Sequence, residues 1–205
     1  MNPLIAKYAE KRTPRYTSYP TAPHFGPEVT GETVAGWLGE IAPGTDLSLY
    51  LHVPFCRKVC WYCACNMKLA AREGPVLAYA EMLEREIALV ADRLAARMPV
   101  TTLHWGGGTP TAMPLPALGR LMDALGARFD IRETAEIAFE IDPRTFTADM
   151  APALAAMGAN RASLGVQEFD ARVQETVNRV QPRAMVDETV ARLKAAGIRR
   201  INFDL

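Results

Sequence analysis

The sequence predicts an α/β fold in which parallel strands form a sheet covered by helices. Three observations predict it. Short apolar runs recur along the chain, stretches with apolar side chains at helical spacing lie between them, and proline or glycine separates most of these segments. Such alternation is typical of βαβ units, whose strands are parallel because each helix returns the chain to the same end of the sheet.

The alternation begins after residue 47. The first 47 residues are rich in Pro, Gly, Thr and Tyr and contain one short helical candidate, at residues 33–41. Residues 48–53, SLYLHV, then predict a buried strand that ends at Pro54. We therefore expect a mostly irregular N-terminal segment at residues 1–47 and a folded domain at residues 48–205.

Each later element follows from an apolar run or from apolar side chains at helical spacing, with Pro99, Pro143, Gly158 and Gly197 beside element ends. The further predicted strands are residues 100–105, 136–141, 161–166 and 201–205. The predicted helices are residues 76–97, 115–129, 148–157, 170–177 and 185–196. Because the last strand has no helix after it to cover it, we expect a fragment that stops after its fifth strand.

The four cysteines of the chain lie close together, at Cys56, Cys60, Cys63 and Cys65 in HVPFCRKVCWYCACN. Thiols this close either bind a metal or become oxidised. Structural zinc sites usually use two separated CxxC-like pairs, and a closed iron–sulfur cluster needs a fourth ligand. The spacing CxxxCxxC instead fits a [4Fe–4S] cluster held by three thiolates, whose fourth iron is open to a substrate. A zinc site or a closed cluster remains the alternative.

Composition and termini narrow the classes of function. The chain has 205 residues, 49% hydrophobic and 22% charged, with 23 basic and 23 acidic side chains. A zero net charge argues against a general nucleic-acid binder, and no apolar run approaches the roughly 20 residues of a membrane span. The N-terminus is polar and charged and does not resemble a secretory signal, so we expect a reducing cytoplasm and no disulfide framework.

Polar residues follow several predicted strands, where catalytic groups gather in folds of this kind. The loop GGGTP at residues 106–110 would let a ligand approach the backbone closely, although a tight turn explains it equally well. Glu140 and Asp204 each end an apolar strand, where an unpaired carboxylate is costly, so they could hold ribose hydroxyls. Gln167 and Arg179, taken singly, fit a salt bridge or an exposed surface as well.

With these motifs in this order, the chain resembles the oxygen-independent coproporphyrinogen III oxidase (coproporphyrinogen dehydrogenase) family of radical S-adenosylmethionine (SAM) enzymes. Tyr62, between the last two proposed ligands, belongs to the CxxxCx(aromatic)C signature of radical SAM enzymes. The other matching segments are PRYTSYPTA at residues 14–22, LHWGGGTPT at 103–111, EIAFEIDPR at 136–144, ASLGVQEFD at 162–170, VNRVQ at 177–181 and NFDL at 202–205.

The resemblance implies a partial (β/α)6-type barrel at residues 48–205, incomplete after its fifth strand, and roles for particular residues. The implied cluster ligands are Cys56, Cys60 and Cys63, with Cys65 as the family's additional cysteine. The positions that match contacts to the cluster-bound SAM are Tyr50, Tyr62, Gly107 and Glu140. The positions that match contacts to a second SAM molecule are Gly108, Thr109, Gln167, Arg179 and Asp204.

The activity implied by the resemblance is the oxygen-independent conversion of two propionates of coproporphyrinogen III into vinyl groups, giving protoporphyrinogen IX in haem biosynthesis. A 5′-deoxyadenosyl radical made from SAM would start each decarboxylation. We further expect a low-potential electron donor such as flavodoxin, a monomer, and a contact between Arg15 and a propionate. As a fragment, the chain is expected to bind the cluster poorly or to bind it without turnover.

Two rival functions remain open at this point. The first is a haem chaperone of the same superfamily that lacks the decarboxylase activity, but Cys65 and RYTSYP at residues 15–20 favour the oxidase. The second is a zinc or electron-transfer module without catalytic activity, which leaves the glycine loop, Glu140 and Gln167 unexplained.

Overall fold

A computed structural model describes residues 20–205. The chain divides into two compact units, Met1–Trp37 and Leu38–Leu205. Arg15 and all but the last residue of RYTSYP lie outside the described residues. The division of roles between residues 1–47 and residues 48–205 stays a prediction.

The strands of the second unit form two sheets. Numbered along the chain, they are β1 (Leu47–Val53), β2 (Phe55–Cys56), β3 (Lys68–Leu69), β4 (Pro99–Gly107), β5 (Asp130–Ile141), β6 (Arg161–Gly165) and β7 (Arg200–Asp204). Five of them form one sheet in the order β1-β4-β5-β6-β7, and every neighbouring pair is parallel. The predicted parallel α/β sheet and its five strands are therefore confirmed.

The helices fall where the apolar spacing predicts them. They are α1 (Gly31–Gly39), α2 (Glu73–Ala91), α3 (Leu115–Arg128), α4 (Met150–Ala156), α5 (Ala171–Thr176) and α6 (Arg183–Ala195). The prediction for residues 76–97 was wrong at its end. The chain leaves α2 after Ala91 because the amides of Arg93 and Leu94 bond three residues back, which tightens the turn. Gly158 ends the α4 segment in the left-handed region, at φ +88°, as expected of a C-cap glycine.

Side chains of opposite character lie on the two faces of the large sheet. One face is apolar and packs against helices α2, α3, α4 and α6, with the Trp105 and Phe139 rings stacked 5.5 Å apart at its centre. Most of the alternate residues along the strands are polar and at least partly exposed, among them Tyr50, Glu140 and Ser163. The second face, here called the inner face, therefore carries the side chains available to a ligand.

Strand β5 is twice as long as its apolar run predicts. It starts at Asp130 rather than at residue 136, because Asp130 and Ile131 pair with Pro99 and Val100 of β4. The register with β4 shifts between Val100 and Thr102, so residues 132–135 form an irregularity between the two paired stretches, and the sequence has no apolar pattern there.

The small sheet closes the cysteine loop, defined here as residues 57–67. Phe55 and Cys56 of β2 pair in parallel with Lys68 and Leu69 of β3. The amide of Ala70 also donates to the carbonyl of Cys56, at 3.0 Å. The loop therefore leaves and returns at one place, directly above the carboxyl end of β1. Two-residue strands have no periodicity, so the sequence did not predict this pair.

Candidate metal and cofactor site

An open cleft with about 690 Å³ of empty space lies where the cysteine loop meets the carboxyl ends of the strands. Of the twelve residues that the sequence predicts for the site, all except Tyr50 and Thr109 line this one cleft. Those ten are Cys56, Cys60, Tyr62, Cys63, Gly107, Gly108, Glu140, Gln167, Arg179 and Asp204. Residues separated by up to about 150 positions in the chain thus come together.

The four cysteines are all free thiols. Within residues 20–205, no three His, Cys, Asp or Glu side chains already stand close enough together to hold a metal ion. The donor set fits a cluster nevertheless, because Cys56, Cys60 and Cys63 face the same cleft and thiolates are the ligands that iron–sulfur clusters use. Burial, with the negative charge of Asp142 next, raises the pKa of Cys56 to about 11, so a bound metal must displace its proton.

Cys65 lines the same cleft beside Cys63. Its pKa is raised by burial first, and then by the charge of Cys63 and a hydrogen bond with the Cys63 thiol. The two thiols are therefore neighbours, although only Cys63 belongs to the CxxxCxxC spacing. The role of Cys65 stays a prediction.

Two arginines converge on the sulfur of Cys60, the most buried of the cysteines at 7% exposed. Nη2 of Arg144 donates to Cys60 Sγ at 3.3 Å, and Nη1 of Arg179 donates to the same sulfur at 3.3 Å. Cationic N–H donors favour the thiolate form of a sulfur, the form that binds metals.

Asp142 holds both arginines in place. Its carboxylate accepts from Nε of Arg144 at 2.9 Å and from Nη2 of Arg144 at 2.6 Å, and lies 3.6 Å from Nη2 of Arg179. Burial by itself would raise the pKa of Asp142. The Arg144 hydrogen bonds and the charges of Arg179 and Arg144 outweigh it, so that the pKa is lowered.

Backbone contacts tie the cysteine loop to the segment between α5 and α6. The amide of Trp61 donates to the carbonyl of Val177 at 3.0 Å, and Nδ2 of Asn178 donates to the carbonyl of Val59 at 2.7 Å. At the far end of the loop, Nε2 of His52 lies 2.9 Å from the carbonyl oxygen of Asn66. The loop is therefore attached to the barrel at several points other than its cysteines.

The glycines at the end of β4 leave the backbone open beside Glu140. A Cβ at Gly106 would lie 2.8 Å from the Tyr50 ring and 2.9 Å from Oε1 of Glu140. Gly107 has φ +114° and donates its amide to Oε2 of Glu140 at 3.0 Å, while Nε2 of His104 lies 3.1 Å from Oε1. A side chain at Gly106 would therefore fill the space beside Glu140, whereas a Cβ at Gly107 would lie 2.9 Å from the His52 ring and from the carbonyl oxygen of Val53.

Two predicted residues lie away from the cleft. Tyr50 sits on the inner face, 57% exposed, with its hydroxyl 3.1 Å from Nδ1 of His52 and its ring stacked on His104. Thr109 is 2% exposed, and its hydroxyl accepts from the amide of Asp142 at 3.3 Å. As placed here, Thr109 joins the ends of β4 and β5 beneath the cleft, and a contact with a ligand stays a prediction.

The opposite wall of the cleft is formed by Gln167, Arg179 and Asp204. Gln167 has φ +70°, an uncommon conformation for a residue with a side chain, and its amide donates to the carbonyl of Asp204 at 2.7 Å. Nη2 of Arg179 donates to the carbonyl of Gly165. Nε of Arg179 is buried without a hydrogen-bond partner among the described residues. Because an unpaired buried donor is costly, an oxygen of a bound ligand fits this position.

Sequence reasoning missed Asp142 and Arg144, although both line the cleft. The available signal was their position, since Asp142-Pro143-Arg144 directly follows the apolar strand that carries Glu140 near its end. No local pattern connects Arg144 with Cys60.

A separate finding concerns membranes: among the helices of residues 20–205, none combines the length and apolar character needed to cross a bilayer.

Comparison with known proteins places these motifs in one family. The family model of the Radical SAM superfamily matches residues 50–205. The oxygen-independent coproporphyrinogen III oxidase of Bradyrhizobium diazoefficiens is 52% identical over 202 residues, which are 98% of this chain and 45% of that protein. The protein of the same name from Paracoccus denitrificans is 42% identical over 96% of this chain and 44% of its own length.

A solved structure is also similar. The coproporphyrinogen III oxidase from Escherichia coli, reported as a radical SAM enzyme, superposes with a TM-score of 0.87 at 37% sequence identity. The match covers 98% of this chain and 44% of that one. The chain thus spans a little under half the length of the relatives it matches.

Proposed function

The chain belongs to the radical SAM superfamily, and from this premise we propose that it acts in the oxygen-independent oxidative decarboxylation of coproporphyrinogen III. Two propionates would become vinyl groups, giving protoporphyrinogen IX for haem biosynthesis. The observation that carries the proposal is that three cysteines, two glycines, one carboxylate and one arginine line one cleft at the carboxyl end of the sheet. The last four are Gly107, Gly108, Glu140 and Arg179. The relatives described above carry the oxidase name, so the haem chaperone is not favoured.

Membership of the superfamily implies a [4Fe–4S] cluster and SAM as cofactors. Cys56, Cys60 and Cys63 would hold the cluster, and their three thiolates would leave one iron for SAM. When bound, these groups supply the one-electron chemistry that removes a hydrogen atom from the β-carbon of each propionate, after which CO2 and an electron leave. The protein's part is to hold the thiolates, orient SAM and limit access of water.

The first SAM molecule would lie beside Gly107 and Glu140, at the end of β4. Glu140 presents a carboxylate that already accepts from the amide of Gly107, and the backbone of Gly107 is open to the cleft. A carboxylate oriented by a backbone amide and by His104 suits the amino group or the ribose hydroxyls of SAM. Tyr50 and Tyr62 complete the proposed set.

A second SAM molecule would lie on the opposite wall. The unpartnered Nε of Arg179 would donate to one of its oxygens, and Asp204 and Gln167 offer acceptors and donors on the same wall. Gly108 and Thr109 belong to this proposed set, with Thr109 in a supporting place. The proposal further includes a low-potential donor such as flavodoxin, a monomeric state and a cytoplasmic location.

The test is anaerobic reconstitution with iron and sulfide, followed by reduction with dithionite and addition of SAM. We expect about four irons per chain, bound only when Cys56, Cys60 and Cys63 are present, and weaker SAM binding by Glu140→Gln at unchanged iron content. Zinc in place of iron would contradict the assignment. Stoichiometric haem binding without consumption of coproporphyrinogen by a chain of the relatives' length would favour the chaperone instead.

Turnover is measured separately from cofactor binding. The porphyrin product is assayed with this chain and with a chain extended to the length of the relatives. We expect vinyl porphyrinogen from the longer chain and little or none from these 205 residues. Equal activity of the two chains would contradict the proposal that turnover needs the part of the relatives that this chain does not span.

A further inference from the structure

We infer that Arg144 is a positioning residue for the cluster, fixing the sulfur of Cys60 and stabilising negative charge on it so that the bound cluster is easier to reduce. The inference rests on the proposed role of Cys60 as a cluster ligand. Arg144 lies outside the set of residues that the sequence assigned to the site.

The guanidinium of Arg144 has a partner on each of its edges. Nε and Nη2 donate to the two oxygens of Asp142, Nη1 donates to the carbonyl of Asn178 at 3.1 Å, and the other side of Nη2 faces Cys60 Sγ at 3.3 Å. Its side chain is only 5% exposed. A planar fork held on three edges cannot rotate away, so the contact with the sulfur is fixed by the other bonds.

The buried charged side chains around Cys60 carry one net positive charge. Arg144 and Arg179 contribute two positive charges to a buried region, and Asp142 contributes one negative charge. An unpaired charge is costly in such a place. A cluster ligand at Cys60 would bring the missing negative charge to this region.

The three proposed ligands are not equivalent. In the part of the chain that the structure describes, arginine N–H groups reach the sulfur of Cys60 and of neither Cys56 nor Cys63. Hydrogen bonds to ligand sulfur are one of the means by which proteins set cluster potentials. Adding an electron increases the negative charge on the sulfur, so cationic donors at Cys60 favour the reduced cluster.

The same side chain joins two segments. Asn178 accepts a hydrogen bond from Arg144 and donates one to the carbonyl of Val59. Arg144 thus connects the end of β5 to the cysteine loop. The loop amides of Trp61 and Cys63 are bonded to the carbonyls of Val177 and Cys60. Loss of Arg144 should therefore loosen these amides even when no metal is bound.

The first experiment measures hydrogen exchange on the metal-free chain. In Arg144→Met we expect the amides of Trp61 and Cys63 to exchange about tenfold faster, because opening of the loop becomes easier. The matched control is Arg183→Met, since Arg183 is 78% exposed on α6 and away from the cleft. Unchanged exchange in Arg144→Met would overturn the positioning role, whether or not a cluster can be loaded.

The second experiment titrates the potential of the reconstituted cluster by electron paramagnetic resonance (EPR). At a fixed solution potential, we expect the ratio of reduced to oxidised cluster to fall about tenfold in Arg144→Met, which is about 59 mV for one electron. Arg144→Lys keeps the charge but not the fork, so it should recover part of the shift. If the methionine variant does not fold, the lysine variant carries the comparison, with a smaller shift in the same direction.

The outcomes separate this inference from the proposed function. Equal potentials in the wild type and both Arg144 variants, at equal iron content, would overturn the inference and leave the cluster assignment intact. Retention of the full cluster by Cys60→Ser would overturn the assignment of Cys60, and the inference with it. A wild-type chain that takes up no cluster would overturn both.

Discussion

The sheet carries two groups of one carboxylate and two arginines, one at each end of its strands. At the carboxyl end, Asp142 lies between Arg144 and Arg179, whose closest contacts to it are 2.6 Å and 3.6 Å. The side chains of this group are between 5% and 10% exposed.

The second group lies where β6 and β7 begin. Glu136 there accepts from Arg161 at 3.1 Å and lies 3.4 Å from Arg200. Its side chains are 31% to 69% exposed, so water can take the place of any of them as a hydrogen-bond partner. The two groups therefore have the same composition and differ chiefly in burial.

The difference shows what burial does to the same chemistry. Exposed ion pairs contribute little because water and salt screen them. A buried charge is costly unless it has a partner of opposite charge. The side chains of a buried group are therefore held in the one geometry that pairs them all. The carboxyl end can thus hold a reactive sulfur in a defined position, whereas the amino end only covers the inner face with polar side chains.

Asp142→Ala should have the largest effect on stability. Removing the carboxylate leaves two buried guanidiniums without their common partner, so we expect the free energy of unfolding to fall by about 3–5 kcal/mol. Urea unfolding at neutral pH, followed by circular dichroism, measures the change. A loss below about 1 kcal/mol would place the Asp142 group with the exposed pairs.

Asp142→Asn provides the matched control, with a defined pH dependence. Because the folded chain lowers the pKa of Asp142, the stability that its charge contributes is fully present above the ordinary carboxyl pKa of about 3.9. That contribution is lost as the pH falls through the lower, folded-state value. The unfolding free energies of the wild type and Asp142→Asn should therefore converge in acid, and a constant difference would show that charge is not the cause.

Gly108→Ala should have the next largest effect. An added Cβ would lie 2.5 Å from the carbonyl oxygen of Phe55 and 2.9 Å from its amide nitrogen, and neither backbone atom can move without shifting β2. Overpacking of this kind costs about 1–3 kcal/mol. Thermal unfolding monitored by circular dichroism would show it, and an unchanged melting temperature would mean that β2 is free to shift.

Gly126→Ala tests the other end of the strands with the same substitution. Gly126 lies in the last turn of α3, just before β5 begins, and an added Cβ meets no atom within 4 Å. Alanine should stabilise the helix by about 0.5–1 kcal/mol, because glycine loses more backbone entropy on folding. Destabilisation here comparable to that of Gly108→Ala would remove the contrast between the two ends.

Glu136→Gln should have the smallest effect, a loss of about 0–1 kcal/mol. The exposed group keeps one hydrogen-bond acceptor and loses only a screened charge. Urea unfolding at low and at high salt measures it, and the difference from the wild type should shrink as salt is added. A loss comparable to that of Asp142→Ala would show that exposure does not distinguish the two groups.

Much of the site could be predicted because parallel connectivity brings all the carboxyl ends of the strands to one edge. Glu140, Gln167 and Asp204 lie at or just after the carboxyl ends of different strands, so knowing the strands was enough to place them together. Position at a strand end does not say whether a side chain faces the cleft or the core. Thr109 is buried at 2% exposed, and its contact with a ligand stays a prediction.

The hydrogen bonds of Arg144 and Arg179 to Cys60 could not be predicted, because they join segments that are distant in the sequence. Arg144 lies 84 positions from Cys60 in the sequence, and Arg179 lies 119 positions away. Which of the charged residues at the strand ends meet, and which face solvent, depends on the exact height of each loop above the sheet. The two-residue strands β2 and β3 set that height and have no pattern of their own.

The central claim is that this cleft holds a [4Fe–4S] cluster with one iron open to SAM. Low-temperature EPR of the anaerobically reconstituted, dithionite-reduced chain, with and without SAM, tests it most directly. We expect a [4Fe–4S]⁺ signal that changes when SAM is added. A cluster signal indifferent to SAM, or zinc with no iron signal, would contradict it.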